Sequence, residues 1–403
     1  MQSGWCVGAI LGIPLFIDRS WFLIVVLITL VNGINPDWQT QWGELAWVMG
    51  LAMALLLFGS VLLHELGHSV AAQQQGITVN SITLFLFGGI ASIDRESKTP
   101  WGALKVAMAG PLVSFGLFLL LSGLVQGVSL PSPVVLVLVN VAYINLVLTL
   151  FNLIPGLPLD GGQVLKAVVW KLTNSRIQGI RWAARSGQIL GWLAIALGLG
   201  RIFLNQDYSG LWIAAIGWFA LRNAAAYQQV TTLQEALLAL TAADAMGRDF
   251  RVVDAHTSLR DFAEAYLLEE HHPPAYFAAS EGRYRGLVSI DTIRTIERGQ
   301  WSQRTLQDIA QPLLAIPSAR ETTLLTEVIT QLEDLALPRL TVLSPADAVA
   351  GVIDRGDIVR TVAERLGLNV APAMIQRIKE EGEYPPGLPL AAIARSVADE
   401  PLS

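Results

Sequence analysis

The sequence predicts a polytopic α-helical membrane protein of about six spans, with a membrane-associated β-hairpin, followed by a cytosolic α/β region. Three observations predict it. The chain is 53% hydrophobic and 15% charged over 403 residues, too apolar for a soluble protein of average composition. The apolar excess stops near residue 230, and only one of the twelve tryptophans, Trp301, lies beyond that point. Six stretches, 20–35, 45–72, 102–126, 133–153, 186–204 and 210–227, are each long enough to cross roughly 30 Å of hydrocarbon.

Charge orients these spans. Lys166, Lys171, Arg176, Arg181 and Arg185 fill the connection between spans four and five with no acidic residue after Asp160, so the positive-inside rule places that loop in the cytosol. The segment 36–44 carries Asp37 and Glu44 without Lys or Arg and falls outside; Arg201 alone runs against the rule. An even span count then puts both termini in the cytosol. A bacterial inner membrane fits this topology best, and a thylakoid-type membrane also fits. The start of the chain, Met1 to Trp5, has no basic stretch of the kind that precedes a cleaved signal. Between spans two and three, Ile77 to Phe87 alternates in β fashion, turns at Gly88-Gly89 and resumes with Ile90 to Ile93, the pattern of a β-hairpin.

Composition also excludes functions. A net charge of −6 with no basic stripe argues against nucleic-acid binding. The single cysteine, Cys6, cannot form an internal disulfide.

The chemistry-bearing motif is His64-Glu65-Leu66-Gly67-His68, near the end of a run from Leu45 to Ala72 that is otherwise almost uncharged. On a helix, residues i and i+4 share a face, so both imidazoles can turn toward one Zn²⁺ while Glu65 acts as general base. An unpartnered carboxylate in lipid is costly, at least ~2.5 kcal/mol, and only five histidines occur in the chain, so an accidental match explains the motif poorly. On the orientation above, His64 lies in the cytosolic third of the membrane. A hydrolytic zinc site takes three protein ligands, and the membrane half holds no third histidine. Asp160 stands in the Pro/Gly-rich break from Asn152 to Gly162, where irregular backbone is tolerated only if protein or a cavity satisfies it. Taken alone, Asp160 reads equally well as a metal ligand or as the N-cap of the helix that follows.

Together these elements resemble the site-2 protease family of intramembrane zinc metalloproteases, over about residues 1–228. His64, Glu65 and His68 match its histidine-glutamate motif. Asn152, Pro155, Leu159, Asp160 and Gly161 match its later aspartate element, and Ala109-Gly110-Pro111 is similar to a third. The resemblance implies that His64, His68 and Asp160 bind one Zn²⁺ per chain, that Glu65 activates water and returns its proton to the leaving amine, and that Asn152 orients the substrate or the oxyanion. The implied partner is a single-span membrane protein cut within its membrane segment. An edge strand of the 77–93 hairpin would hold such a segment, once unwound, by main-chain pairing, or serve structure alone.

Residues 243–300 and 306–364 look like two copies of one unit, each with a Gly-led strand and an acidic turn: Gly286 to Asp291, and Gly351 to Asp357. They resemble a tandem CBS pair, whose clefts often bind adenine nucleotides. The first copy is one residue shorter, placing Thr292 where the family has its ribose-binding aspartate. Asp357 is the better nucleotide-binding candidate, with a helix N-cap as its alternative role. Residues 365–403 form a tail, irregular and acidic from Ala371 and ending in a short helix. His256, His271 and His272 read as surface residues. Lipid contact is implied throughout the membrane half, and a homo-oligomer is compatible with it. The competing class is a CBS-gated transporter or channel for a metal ion, which would spread acidic residues through its spans rather than converge them on one hydrolase pattern.

Overall fold

Long apolar runs give the first half of the chain its helices. The protein, seen here as a computed structural model, is described for residues 4–86, 88–267, 275–385 and 387–398, and it divides into two units, Met1–Thr231 and Thr232–Ser403. Strands β1 (Trp5–Ile10) and β2 (Ile13–Ile17) precede α1 (Arg19–Gly33), α2 (Pro36–Trp42) and α3 (Leu45–Gln73). Strands β3 (Val79–Phe85) and β4 (Gly88–Ile93) lead to α4 (Pro100–Gly127), α5 (Ser132–Asn152), α6 (Asp160–Thr173), α7 (Arg176–Asn205) and α8 (Gly210–Leu238).

By length and composition α3, α4, α5 and α7 can cross a membrane, and a fifth crossing results if α1 and α2, bent by 66°, form one span. Local chemistry explains the bend. The Asn35 side chain accepts hydrogen bonds from the N–H groups of Asp37 and Trp38, and Pro36 opens the helix, so a new helix is capped instead of the old one continuing. The sixth expected segment lies in α8, where Arg222 and Asn223 interrupt the apolar run, and α8 falls outside this group. Trp38 is buried and stacks edge-on against Trp42.

β1 to β4 form one sheet in that order. β1 and β2 are antiparallel, β2 and β3 parallel, and β3 and β4 antiparallel. The 77–93 segment therefore supplies two strands of four, with β4 at the edge. Ile13, Ile77, Val79 and Ile82 pack with Leu66 and Ala72 of α3, each burial contributing about 1.5–3 kcal/mol. The sheet is thus fixed against the motif helix at Leu66, midway between the two histidines.

The second unit repeats one topology twice. After α9 (Ala242–Ala245) come β5 (Phe250–Asp254), α10 (Leu259–Phe262), β6 (Ala275–Ser280), β7 (Arg283–Val288) and α11 (Ile290–Thr295). Then follow β8 (Ser318–Arg320), α12 (Leu325–Asp334), β9 (Arg339–Leu343), β10 (Val349–Asp354) and α13 (Arg355–Arg365). In each copy the first two strands pair in parallel and the last two antiparallel. The copies also exchange segments: Gly247, ahead of β5 in the first, bridges to Val352 of the second, and Gln311, ahead of β8 in the second, bridges to Leu287 of the first. The repeated glycines belong to this exchange. A Cβ on Gly351 would lie 2.8 Å from the Gly247 carbonyl, and one on Gly286 would collide with the Gln311 carbonyl.

The tail is more ordered than its composition predicts. It forms α14 (Pro372–Glu381) and α15 (Leu390–Ala398), and Ile378, Leu390 and Ile393 are buried in the same core as Ile329, Leu332 and Ile358. Apolar residues at helical spacing supply the buried face, and Gly382 ends α14 in the left-handed conformation.

Candidate metal centre

His64 and His68 lie one turn apart on α3 and are both buried. Their Nε2 atoms are 3.2 Å apart. Asp160 Oδ2 stands 3.1 Å from His64 Nε2 and 3.4 Å from His68 Nε2. Among the described residues this is the one group of three His, Cys, Asp or Glu side chains close enough to share a metal ion.

Asp160 reaches the histidines because the break after α5 is stapled to α7. Leu157 is buried, and its N–H donates to the Ala183 carbonyl at 3.2 Å. The Ser186 hydroxyl donates to the Pro155 carbonyl, and Leu157 packs on Ala183, Ala184 and Leu165. Asp160 is then the first residue of α6, whose N-cap, Leu159, makes no side-chain capping bond. The carboxylate turns to the imidazoles and leaves the helix terminus uncapped.

The tautomers show why this cluster fits a cation. His68 Nδ1 lies 2.7 Å from the Val106 carbonyl, a pure acceptor, so Nδ1 carries the proton and the neutral ring presents a lone pair at Nε2. His64 Nδ1 lies 2.9 Å from the Ser114 hydroxyl, which can hold the same tautomer. With both rings in that tautomer, two nitrogen lone pairs and a carboxylate would converge, the donor set that a zinc ion takes. The spacing suits zinc: a tetrahedron with arms of about 2.0–2.1 Å has edges of about 3.3–3.4 Å. Room for the ion comes from Gly110 on α4, where a Cβ would collide with His68 Nε2 and come within 2.7 Å of His64 Nε2. Any other residue would fill the space between the donors.

Glu65 is half-buried and faces β4: a Cβ on Gly89 would lie 2.7 Å from Glu65 Cγ. The edge strand therefore passes directly over the general-base candidate. Asn152 is half-buried at the end of α5; no side-chain hydrogen bond ties it to the three-residue group. Beyond β4, Glu96 accepts from Lys166 of α6 and Arg176 of α7, both at 2.7 Å. Burial pushes the Glu96 carboxyl up, but the two cations outweigh it and hold it at about 2. This clamp ties the exit of β4 to the helix that carries Asp160.

Asp357, the nucleotide-binding candidate, is 1% exposed. It shares a capping box with Asp354 and pairs with Lys379 at 3.0 Å and Arg360 at 2.9 Å. His256 is exposed in a turn after β5; His271 and His272 lie outside the described residues. Sequence reasoning missed Ser114, Val106 and the Glu96 clamp. One signal was available: Val106, Gly110 and Ser114 recur every four residues, one stripe of an apolar helix.

The profile of Peptidase family M50 matches residues 52–134 and 123–194. The chain is 40% identical over 362 residues to sll0528 of Synechocystis sp., whose name describes a zinc metalloprotease; the match covers 89% of this chain and 96% of that one. It is 34% identical over 370 residues to Rip3 of Mycobacterium tuberculosis H37Rv, also named for zinc metalloprotease activity, across 90% of this chain and 93% of that one. Among solved structures it is similar to the site-2 protease of Methanocaldococcus jannaschii, with 29% identity, a TM-score of 0.41, and coverage of 56% of this chain and 94% of that one. Agreement at this level over nearly the full length of both named relatives settles kinship: the chain belongs to peptidase family M50, the site-2 protease family of metalloproteases.

Proposed function

We propose that this protein is an intramembrane zinc endopeptidase that cuts a single-span membrane protein within its membrane segment, as in regulated intramembrane proteolysis. The observation that carries the reading is the convergence of His64 Nε2, His68 Nε2 and Asp160 Oδ2 within 3.4 Å of one another on helices of a membrane unit. We assign the protease to residues 1–228, with His64, His68 and Asp160 holding one Zn²⁺ per chain. When bound, the ion supplies Lewis acidity, lowering the pKa of water and polarising the peptide carbonyl. Glu65 takes the proton of the attacking water and passes it to the amine nitrogen as the C–N bond breaks. Asn152, at the end of α5, orients the substrate or the developing oxyanion.

The substrate segment has to unwind before water can attack, because a helix shields its amides. The free edge of β4 offers main-chain partners for an unwound strand, and Gly89 lets that strand lie against Glu65. A six-span topology with cytosolic termini, in a bacterial inner membrane, accords with the basic residues Lys166 and Lys171 in α6 and Arg176, Arg181 and Arg185 in the first part of α7. We assign 243–300 and 306–364 to a CBS pair, with 365–403 as a tail whose helices α14 and α15 pack against the second copy through Ile378, Leu390 and Ile393. Regulation by an adenine nucleotide at Asp357 would require Lys379 to leave that carboxylate. Cleavage rates unchanged by added AMP or ATP would remove this part of the reading.

The test is purification of wild type and Glu65→Ala in detergent, with zinc content and cleavage of a panel of single-span proteins measured side by side. Zinc near one per chain in both, with cleavage at least about 100-fold slower in the variant, is the expected result. Zinc absent from both would overturn the assignment.

A further inference from the structure

We propose that Ser114 is a positioning residue for the metal centre, holding His64 in the tautomer that leaves Nε2 free, and that α4 acts as the outer support of the site through the stripe Val106, Gly110 and Ser114. The inference rests on the zinc reading of that site and extends it to a helix that contributes no ligand.

An imidazole binds a metal through one nitrogen only if the other carries the proton, and the partner of that second nitrogen fixes the ring. The two histidines have different partners. His68 Nδ1 faces the Val106 carbonyl at 2.7 Å, a backbone group that no substitution removes and that can only accept. His64 Nδ1 faces the Ser114 hydroxyl at 2.9 Å, a side chain that can accept or donate. Ser114 is fully buried, so no water competes for the contact, and it is the one side chain bonded to either Nδ1 among the described residues. If the hydroxyl donated, His64 would carry its proton on Nε2, pointing at His68 Nε2 and Asp160, and the donor set would drop to two. Ser114 must therefore accept, which makes it the adjustable half of the support.

The spacing makes the support a property of one helix face. Residues 106, 110 and 114 are each four apart, so they line one stripe of α4. From one end to the other, that stripe holds one ring, leaves space for the ion, and holds the second ring. Pro111 lies within α4 next to Gly110, where the helix lies closest to the donors.

The experiment measures the zinc dissociation constant of the full-length protein in detergent by competition with a chromophoric chelator, for wild type, Ser114→Ala, Ser114→Thr and Ser114→Val. Thr and Val have the same shape and differ only in the hydroxyl, so any cost of the added methyl cancels between them. Ala is expected to bind zinc 10–100-fold more weakly than wild type, and Val more weakly than Thr by a similar factor, while the metal-free proteins melt together within each pair. Equal zinc affinity in wild type and Ala, or in Thr and Val where Ala does not fold, would overturn the proposal. Absence of zinc from wild type would instead remove the reading on which it rests.

Discussion

Asp160 and Asp357 are comparable residues of the two units: each stands in the first turn of a helix, Asp160 after the irregular break that follows α5 and Asp357 after β10, and each has the residue type for either a cap or a ligand. They are used in opposite ways. Asp160 leaves the N-terminus of α6 uncapped and meets two imidazole lone pairs. Asp357 closes a capping box with Asp354, whose Oδ1 accepts from its N–H at 2.9 Å, and takes the Lys379 ammonium at 3.0 Å. The difference lies in what the neighbours bring. Where other elements deliver imidazoles, the carboxylate adds negative charge to a cluster whose spacing suits a metal ion. Where another element delivers an ammonium, as Lys379 does to Asp357, the carboxylate has a cationic partner within the fold.

Three substitutions separate the two carboxylates experimentally. The largest effect belongs to Asp160→Asn, which removes the charged donor. Zinc affinity should fall by at least about 100-fold, more than loss of an outer-shell partner costs, with cleavage falling alongside; full zinc retention would mean that Asp160 is not a ligand. Next is Asp357→Asn, which should leave zinc content unchanged while lowering the thermal midpoint of the intact protein, because a cap and a buried ion-pair partner are lost, about 1–3 kcal/mol. An unchanged midpoint would show that the carboxylate is free for another purpose. The smallest is Glu96→Gln. Glu96 is held at about 2 by Lys166 and Arg176, below its unfolded value, so its contribution is fully present above the ordinary carboxylate range and is lost as pH falls through that range toward 2. Wild type should therefore lose thermal stability between about pH 5 and pH 3 more steeply than the glutamine variant. Parallel curves would show that the clamp contributes nothing measurable.

The same contrast explains what could be read from the sequence. The histidine pair was legible because its geometry is local: four residues of helix place both rings on one face whatever surrounds them. Asp160 was legible only as a choice between two roles, because its direction depends on Leu157 and Pro155 being held by α7 more than twenty residues later. Strands β1 and β2 carried no usable pattern. They are short, broken at Gly8 and Gly12, and gain their meaning from pairing with β3, as in Leu15 against Ile82. In the second unit each repeated glycine lies in the last strand of its copy, Gly286 in β7 and Gly351 in β10. The fate of Asp357 was set by Lys379 on a helix whose acidic composition concealed a buried face. Ser114 was invisible for a related reason, since a serine in an apolar helix acquires a role only when another helix turns an imidazole toward it.

The central claim, that converging lone pairs of His64, His68 and Asp160 hold zinc, is tested most directly by X-ray absorption at the zinc edge on the purified full-length protein. The expected result is about one zinc per chain in a four-coordinate shell of nitrogen and oxygen at about 2.0–2.2 Å, with the outer scattering of two imidazoles. No zinc, or a shell without two imidazoles, would contradict it.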